Sequence, residues 1–477
     1  MNTIFDLPQH LTIHLATEPN PATPKIRLMI APEKPAVNMP NKSVGDILYT
    51  DNQVIVSLGD SANKISAETF RKAGGSLAKW LVQHNVAEIN LYPDEISSYQ
   101  IPNAIPAFYE GLLLGAFQFE RYKKIEASVT PVQVWVHAQP NEQTSAQEQI
   151  ERSSRLCAAV NLARDWAHEP ANVINPITLA ERAQLLAERY GLRCTVLTDK
   201  ELEDMGAGAI VAVGKGSQTP SRLIILEYPG KNPPADAQPI VLVGKALTFD
   251  TGGYSIKTTE GIVGMKYDKC GGITVLATLM AAAELGLSQP IVGIIGAAEN
   301  MISAQAYRPD DILRSLSGKT IEVISTDAEG RLVLADALTY AQKNFKPRAI
   351  IDLATLTGGV LVALGRVRAG LMSNNDELAQ ALYAAGQSTH ERLWRLPLDE
   401  EFAQLIKSDD ADIKNSGGRE GHCILGGTFL KHFVEDTTPW AHLDIAGVAD
   451  SPKESAYCPK GATGFGVRLL IQYLETL

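Results

Sequence analysis

The chain has 477 residues, with 43 Lys and Arg against 54 Asp and Glu, giving a formal net charge of −11 at pH 7. A hydrophobic share of 45% and a charged share of 20% exclude a largely disordered chain. The acidic balance argues against nucleic acid or an anionic membrane as the main partner, because both bind basic surfaces.

The cysteines and the first residues bear on the cellular compartment. The five cysteines form no CxxC pair, which argues against a zinc ribbon, a redox dithiol or a disulfide scaffold. Residues 1–6 contain neither a cationic start nor a long apolar run, as a secretory leader would. The longest apolar-rich run, at 271–287, contains Glu284 and predicts a buried helix rather than a membrane span. We therefore expect a cytoplasmic protein.

The first 150 residues are predicted to form a small α/β domain. Residues 54–58 and 132–136 have the apolar or alternating patterns of strands, and a helix is predicted over 67–84. A polar helix with a single apolar stripe is predicted over 148–167, ahead of Glu169-Pro170. These patterns predict three parts, namely an N-terminal domain, a linker helix and a second domain, over 1–150, 151–170 and 171–477.

The second domain begins with a predicted helix whose capping box is Thr178-Leu179-Ala180-Glu181. Near-continuous apolar runs at 240–243, 291–296 and 349–353 are typical of strands buried on both faces, and helices such as 332–344 separate them. We therefore predict an α/β fold: a smaller N-terminal α/β domain, and a larger C-terminal domain whose mixed, largely parallel sheet is flanked by helices.

Carboxylates gather where two predicted strands end. The strand at 240–243 runs into a segment containing Asp250, with Asp268 further on, and another strand runs into Asp327 and Glu329. Ligands bind outside the carboxyl ends of strands in open α/β sheets. Asp327 and Glu329 are two residues apart, so in extended backbone their side chains would point the same way. Four carboxylates in one crevice would repel each other unless cations neutralise them, which predicts divalent metal ions.

These carboxylates also have structural interpretations. Asp268 and Asp327 could cap the helices that follow them, and Asp250 beside Gly252-Gly253 could form a turn. Clustering in two strand-end segments, each with glycines and cations, favours a metal-dependent hydrolase and leaves its substrate open.

Other catalytic motifs fail. Ser317-Gly318-Lys319-Thr320 imitates the end of a phosphate-binding loop, but Leu313 stands where the first glycine is required. The chain contains neither an HExxH pair nor a GxSxG elbow. His422 and His442 fit a protein core as well as a site.

The segment Ser325-Thr326-Asp327-Ala328-Glu329-Gly330-Arg331-Leu332 closely resembles the NTDAEGRL signature of the leucyl aminopeptidases, the dinuclear exopeptidases also called cytosol aminopeptidases. Other segments match the family in the same order, at 243–245, 249–250, 253–257, 265–268, 299–301, 307–309, 354–358, 442–447 and 461–464. The resemblance covers roughly residues 160 to 477 and implies that this part is the catalytic metallopeptidase domain.

The resemblance implies two divalent metal ions per subunit, zinc or manganese, and five ligands: Lys245, Asp250, Asp268, Asp327 and Glu329. One ion would be held by Asp250, Glu329 and both the side chain and the backbone carbonyl of Asp327. The other would be held by Lys245 and Asp268, with Asp250 and Glu329 bridging. As a ligand Lys245 must be neutral, which burial and nearby cations favour.

Lys257 and Arg331 match the two catalytic side chains of the family pattern. The resemblance implies that a metal-bridging hydroxide attacks the peptide bond while Lys257 stabilises the oxyanion. Arg331 would hold bicarbonate as a proton shuttle. Binding of the free α-amine to a metal would confine cleavage to the N-terminal peptide bond.

The resemblance also bears on substrate and assembly. Met265, Thr355, Leu356 and Gly358 match positions that wall the pocket for the first side chain of the peptide, so we expect apolar N-terminal residues such as Leu or Met. Relatives assemble as hexamers with their catalytic domains inward, which implies a homohexamer.

Three positions depart from the family pattern. Ser325 replaces an Asn, Lys269 stands where relatives commonly have Met, and Asp310 replaces a Gly. None removes a predicted ligand, so these departures bear on metal preference and rate.

Two other functions are alternatives to the aminopeptidase. A non-catalytic relative would keep the fold and lose the chemistry, but the predicted ligands are all present. A DNA-binding regulator would need a basic stripe, and the best candidate is Arg121-Tyr122-Lys123-Lys124, expected on a solvated helix face.

Overall fold

The computed structural model describes residues 4, 5, 7–16, 18, 20–29, 43–123 and 130–477. Two predictions fall partly on residues outside these ranges. They concern Lys124 of the basic cluster, and residues 1–3 and 6 of the segment in which no secretory leader is expected. The chain divides into two compact units, Met1–Leu162 with Ser451–Gly461 and Ala163–Asp450 with Ala462–Leu477. The domain boundaries predicted at residues 150 and 170 stay a prediction.

The first unit is built on a six-stranded sheet with the order β1-β6-β5-β2-β4-β3, in which the described pairs are parallel except β3 with β4. Its strands are β1 Leu11–Leu15, β2 Lys25–Met29, β3 Val44–Thr50, β4 Gln53–Leu58, β5 Glu88–Leu91 and β6 Val132–Val136. Its helices are α1 Ala67–Gln83, α2 Asp94–Ser97 and α3 Ala104–Gly115, with a 3₁₀ turn at Ala62–Lys64.

The alternation predicted at 132–136 is confirmed. Val132, Val134 and Val136 are buried while Gln133 and Trp135 are half-buried, because successive side chains of a strand point to opposite faces. The basic cluster near residue 121 was wrongly expected on a helix, because residues 121–123 form a turn after α3.

The second unit contains an eight-stranded sheet with the order β15-β14-β17-β13-β9-β10-β8-β7 and a three-stranded sheet with the order β11-β12-β16. The strands of this unit are β7 Arg193–Thr198, β8 Arg222–Tyr228, β9 Ile240–Asp250, β10 Ile291–Asn300, β11 Ile312–Arg314, β12 Thr320–Glu322, β13 Ala349–Ala354, β14 Ala369–Ser373, β15 Leu393–Arg395, β16 Ile413–Lys414 and β17 Trp440–Asp444. The short strands β18 Asp450–Ser451 and β19 Gly461–Ala462 pair with each other.

The helices after α3 begin with α4, Gln143–His168, which continues past the first unit. Those that follow are α5 Pro176–Tyr190, α6 Asp199–Asp204, α7 Gly208–Gly214, α8 Thr259–Ile262, α9 Cys270–Leu285, α10 Gly330–Asn344, α11 Gly358–Leu364, α12 Asp376–Thr389, α13 Glu400–Gln404, α14 His422–Lys431 and α15 Val467–Leu474, with a 3₁₀ turn at Met265–Tyr267. Among the described residues, none of these helices combines the length and the hydropathy that a membrane span requires.

The predicted fold class is confirmed. Strands β9, β10, β13 and β17 run parallel in the centre of the large sheet, and β7, β8 and β14 make its antiparallel pairs. Apolar residues of the sheet pack with those of α7, α10 and α14 in one buried cluster. Because parallel strands end at one edge, this arrangement brings the carboxyl ends of β9, β10 and β13 together.

The capping box predicted for α5 was wrong. Asn175 is the residue that caps this helix, and its side chain accepts hydrogen bonds from the amides of Ile177 and Thr178 at 3.0 Å each. Thr178 completes the box by accepting from the Asn175 amide at 3.0 Å. The helix begins earlier because Pro176 suits its first position, where no amide hydrogen is required.

Candidate metal centre

The strand predicted at 240–243 extends to Asp250 as β9, so Lys245 and Asp250 lie on the strand itself rather than beyond it. They are five residues apart, which in a regular strand places two side chains on opposite faces. Strand β9 has one extra residue relative to β10, at Thr248. After this bulge, the side chains point to the opposite face of the sheet from the one that a regular strand would give. Lys245 and Asp250 can therefore contribute to the same site.

Lys245 is buried among acidic side chains. Its Nζ lies 2.9 Å from Asp268 Oδ1 and 2.9 Å from Glu329 Oε1, and it donates to the backbone oxygen of Thr355 at 2.9 Å. The absence of a side chain at Gly330 makes room for it, because a Cβ there would lie 2.5 Å from Lys245 Cε. Steric exclusion by Lys245 therefore explains why a glycine follows Glu329.

Asp327 and Glu329 do not lie in extended backbone, so that expectation was wrong. The Ala328 amide donates to Ser325 O at 3.3 Å and closes a turn, and Glu329 has helical backbone angles (φ −75°, ψ −38°) just before α10. One carboxylate oxygen from each of Asp250, Asp327 and Glu329 nevertheless lies within 4.8 Å of the other two. A turn thus brings three of the four expected carboxylates together, and Asp268 is not part of this group.

Lys257 joins two of these carboxylates. Its Nζ lies 2.7 Å from Asp250 Oδ2 and also donates to Asp327 Oδ1. The chain returns to the site through Gly252, whose φ of +83° is a conformation that L side chains rarely adopt. A Cβ at Gly252 would also lie 2.9 Å from Asp327 Oδ1.

The electrostatics of the cluster are unbalanced, because four carboxylates face two ammonium groups. Burial, and then the charge of Asp250, raise the pKa of Glu329 to about 7. Burial also raises the pKa of Asp268. Burial opposes the charges of Lys245 and Lys257, but the surrounding carboxylates outweigh it and raise the pKa of both lysines. The cluster therefore favours more positive charge than its lysines supply.

Divalent cations fit this set of donors. Oδ2 of Asp268 is buried and has no hydrogen-bond partner among the described residues. Carboxylate oxygens that converge from several segments suit hard and borderline divalent cations. A cation would satisfy the unpartnered oxygen and offset the crowding that raises the pKa of Glu329.

The positions of the carboxylates decide whether they cap a helix or form a turn. Helix α9 is preceded by Lys269 and helix α10 by Glu329, and neither helix has a side-chain cap, so Asp268 and Asp327 are not capping residues. Asp250 does form a turn, since its Oδ1 accepts from the Gly252 amide at 2.8 Å. This role is compatible with its place in the cluster.

Arg331 lies in the first turn of α10 and is buried. Its Nη1 donates to Asn415 O at 2.8 Å, and its guanidinium carbon lies 5.9 Å from the centre of the Phe429 ring. Its Nε has no hydrogen-bond partner among the described residues. Burial lowers the pKa of Arg331 to about 10, so the side chain stays cationic at neutral pH and offers a free donor to an anion.

Three side chains hold the segments of the predicted ligands in place, and no role was predicted for them from the sequence. Asn300 Nδ2 donates to Asp250 Oδ1 at 2.8 Å and to Thr326 O at 3.0 Å. The Tyr307 hydroxyl donates to the same Thr326 oxygen at 2.7 Å, and Thr326 Oγ1 donates to Gly252 O at 2.6 Å. These bonds tie the end of β9 to the turn of Asp327. The available signal was the position of Asn300 at the end of β10, beside β9.

The residues predicted to wall a substrate pocket lie in two segments. Met265 begins the 3₁₀ turn before Asp268, and Gly358 begins α11. Thr355 Oγ1 donates to Asp268 Oδ1 at 2.7 Å, so its hydroxyl faces a predicted ligand. Leu356 packs against the buried core of the unit.

The two histidines considered for the site have different surroundings. His442 is fully buried, with its Nδ1 2.5 Å from Asp352 Oδ1, and belongs to the interior of the sheet. His422 lines a cavity of about 590 Å³ together with Gly359, Val362 and Ser416.

Two family models match the chain. The model described as "Cytosol aminopeptidase family, catalytic domain" matches residues 161–471, and the model of the N-terminal domain of the same family matches residues 48–126.

Similar proteins cover most of the chain. A "Probable cytosol aminopeptidase" of Geobacter sulfurreducens is 44% identical over 430 residues, which is 90% of this chain and 86% of that protein. Another of Roseiflexus castenholzii is 48% identical over 385 residues, 80% of this chain and 78% of that protein. The solved structure titled "Bottromycin maturation enzyme BotP in complex with Mn" has a TM-score of 0.86 at 32% identity, covering 95% of this chain and 99% of that one.

Proposed function

Because this chain belongs to the cytosol aminopeptidase family and is a metal-dependent aminopeptidase, we propose that it removes the N-terminal residue of peptides with two divalent cations at the candidate metal centre. One observation carries the two-cation proposal. Oxygens of Asp250, Asp327 and Glu329 lie within 4.8 Å of one another, and Lys245 and Asp268 adjoin them.

The proposed ligands divide into two overlapping sets. Asp250, Asp327 and Glu329 would hold one cation, with the backbone carbonyl of Asp327. Lys245 and Asp268 would hold the other, with Asp250 and Glu329 shared. Lys245 keeps its proton between Asp268 and Glu329, because their charges raise its pKa. Loading of this second set would therefore release a proton.

Lys257 and Arg331 are the proposed catalytic side chains. When bound, the cations supply an activated water and a Lewis acid for the peptide carbonyl. Lys257, a cation beside Asp250 and Asp327, would donate to the carbonyl oxygen of the scissile bond as that oxygen becomes negative. The free Nε of Arg331 and its positive charge suit a bicarbonate ion that moves a proton during the reaction.

We propose zinc or manganese as the metal and apolar N-terminal residues, such as Leu or Met, as the preferred substrates. Support for manganese comes from the relative whose title names Mn. Support for the apolar preference is the position of Met265 in the turn that precedes Asp268. We also propose a homohexamer, for which a molar mass of six chains in solution light scattering is the expected result.

The test uses enzyme stripped of metal by chelation and then supplied with Zn²⁺, Mn²⁺ or Co²⁺. We expect hydrolysis of Leu- and Met-p-nitroanilide to exceed that of the Arg derivative, with no hydrolysis of N-acetyl-Leu-p-nitroanilide, because the free amine is required. Asp327→Ala should abolish this activity, and Asp204→Ala, on the exposed end of α6, is its matched control.

Three results would contradict the proposal. Activity that survives exhaustive chelation, or that persists in Asp327→Ala, would exclude the two-cation mechanism. A folded, metal-loaded protein without hydrolysis of any of these substrates would favour the non-catalytic relative.

A further inference from the structure

Two lysines that flank Asp268 bind the C-terminal end of helix α4. Lys269 is fully buried, and its Nζ donates to Ala167 O at 3.1 Å and to Glu169 O at 2.8 Å. Lys266 Nζ donates to His168 O, the carbonyl between these two, at 2.8 Å. Three consecutive carbonyls at the helix end are thus bound from the segment that contains Asp268.

The chemistry of a helix end explains why lysines are found there. The last carbonyls of a helix have no partner within it and carry the negative end of the helix dipole. An ammonium group has three donors and a positive charge, and so matches such an end. Lysine is seldom fully buried without compensating partners. Lys269 uses its three donors on Ala167 O, Glu169 O and Lys266 O, so its burial is satisfied by backbone oxygens.

The same lysine fixes the backbone on both sides of Asp268. Its bond to Lys266 O closes the segment from residue 266 to residue 269 across Asp268. The Asp268 amide donates to Met265 O at 3.1 Å, and the Ile273 amide donates to Lys269 O at 3.1 Å in the first turn of α9. Asp268 is therefore held between the start of α9 and the end of α4.

The Asp268 carboxylate depends on that placement. Its Oδ1 accepts from Lys245 at 2.9 Å and from Thr355 Oγ1 at 2.7 Å, whereas its Oδ2 has no hydrogen-bond partner among the residues that the structure describes. The direction of the Asp268 carboxylate is thus set by the hydrogen bonds to its Oδ1 and by the position of the Asp268 backbone. A shift of that backbone would move the free oxygen relative to Asp250 and Glu329.

We propose that Lys269 is a positioning residue for Asp268, which holds the 265–268 segment on the end of α4 and thereby sets the affinity of the cation site that includes Asp268. The site formed by Asp250, Asp327 and Glu329 does not depend on it in the same way, because none of these three carboxylates is tied to α4 by a described hydrogen bond. This inference rests on the proposed two-cation function.

The experiment is calorimetric titration of Mn²⁺ into the metal-stripped full chain, together with thermal unfolding of each variant. Lys269→Met installs the residue that relatives commonly have at this position, and it removes the three donors that bind Ala167 O, Glu169 O and Lys266 O in this chain. We expect one of two binding steps to weaken by about 10- to 100-fold, the range for residues that orient a metal ligand. The other step should stay within about threefold, a margin of about 0.65 kcal/mol, below the cost of a lost hydrogen bond. Lys269→Arg should restore part of the loss, and Lys200→Met, at an exposed position of helix α6, is the control.

The outcomes separate a positioning role from a merely structural one. A folded Lys269→Met variant that binds both ions as the wild type does would overturn the inference, and so would an equal weakening of both steps. If Lys269→Met does not fold, Lys266→Met decides, since it removes the bond to His168 O and leaves the donors of Lys269 in place. It should weaken the same single step to a smaller extent, and an unchanged step would overturn the inference. A wild-type chain that binds fewer than two ions would instead contradict the proposed function.

Discussion

Two buried acidic residues, one that precedes helix α10 and one within it, have similar pKa values and different surroundings. Glu329, just before the first turn of α10, and Asp336, two turns later, both have a pKa of about 7, and burial is the largest cause for each. Asp336 accepts from the backbone amides of Ile210 at 2.9 Å and Leu316 at 2.7 Å. Glu329 instead faces the like charges of Asp250 and Asp268.

The surroundings of a buried carboxylate therefore distinguish one that stabilises the fold from one that belongs to a site. At Asp336 the described partners are amide donors that lower its pKa and so oppose the effect of burial. At Glu329 the neighbouring carboxylates raise the pKa further, and two lysines offset them only in part. A buried carboxylate crowded by others of its kind indicates a place for a cation, whereas one satisfied by amides stabilises the fold.

The largest expected effect comes from Glu329→Gln. An amide cannot neutralise a cation, so we expect kcat/KM to fall by on the order of 10³-fold, equivalent to several kcal/mol of lost transition-state stabilisation. Bound metal, measured by elemental analysis, should fall below two ions per chain. Asp336→Asn serves as the paired variant, since a folded sample should keep its metal and its activity. Equal losses of activity in the two variants would remove the distinction.

A smaller effect is expected when metal is added to the apo protein. A ligand at 100 times its dissociation constant stabilises the folded state by about 2.7 kcal/mol per site. Chemical denaturation should therefore show a higher free energy of unfolding with Mn²⁺ or Zn²⁺ in wild type and in Asp336→Asn. The increment should be reduced in Glu329→Gln. An increment of the same size in Glu329→Gln would place the stabilising ions elsewhere in the chain.

Per pH unit, the smallest expected effect is the pH dependence due to Asp336. Its folded pKa of about 7 lies above the value of about 3.9 for an unfolded chain. Between these values the folded protein keeps a proton that the unfolded chain has released. This group therefore lowers the free energy of unfolding as pH rises from about 4 to about 7, by at most about 1.4 kcal/mol per pH unit, with no further change above pH 7.

Asp336→Asn removes that titration along with one of the two hydrogen bonds from the Ile210 and Leu316 amides, because Asn has a single acceptor oxygen. The variant should be less stable than wild type by about 1–3 kcal/mol, the cost of leaving buried donors unsatisfied. The difference should narrow as pH rises from 5 to 7 in urea denaturation of metal-free protein. A difference that stays constant over this range would mean that Asp336 is ionised in the folded state.

Much of the fold could be predicted from local patterns. Apolar runs marked the central strands, alternation marked β6, and the signature at 325–332 placed Asp327 and Glu329 ahead of a helix. The cap of α5 was misplaced because Thr178 satisfies the same local pattern as Asn175. Only the position of Pro176 distinguishes the two.

The site was predictable as a set of residues and less so as a geometry. The extra residue at Thr248 cannot be read from β9 alone, because a bulge exists only relative to the register of β10. The link from Asn300 to both Asp250 and Thr326 likewise requires three distant segments to meet. The backbone geometry at Asp310 could be predicted in part. Its φ of +71° is a conformation that suits glycine, the residue that the family pattern has at this position.

The α/β class, the approximate strands and helices, and the family could be predicted from local patterns, because these depend on periodicity and on motifs of neighbouring residues. The tertiary structure decided which side chains face each other. It turned Asp250 toward Lys245, drew Asp327 and Glu329 together by a turn, and set Lys269 against the end of α4. The physical reason is that burial and charge depend on distances between segments far apart in the chain, and those distances exist only once the sheet has assembled.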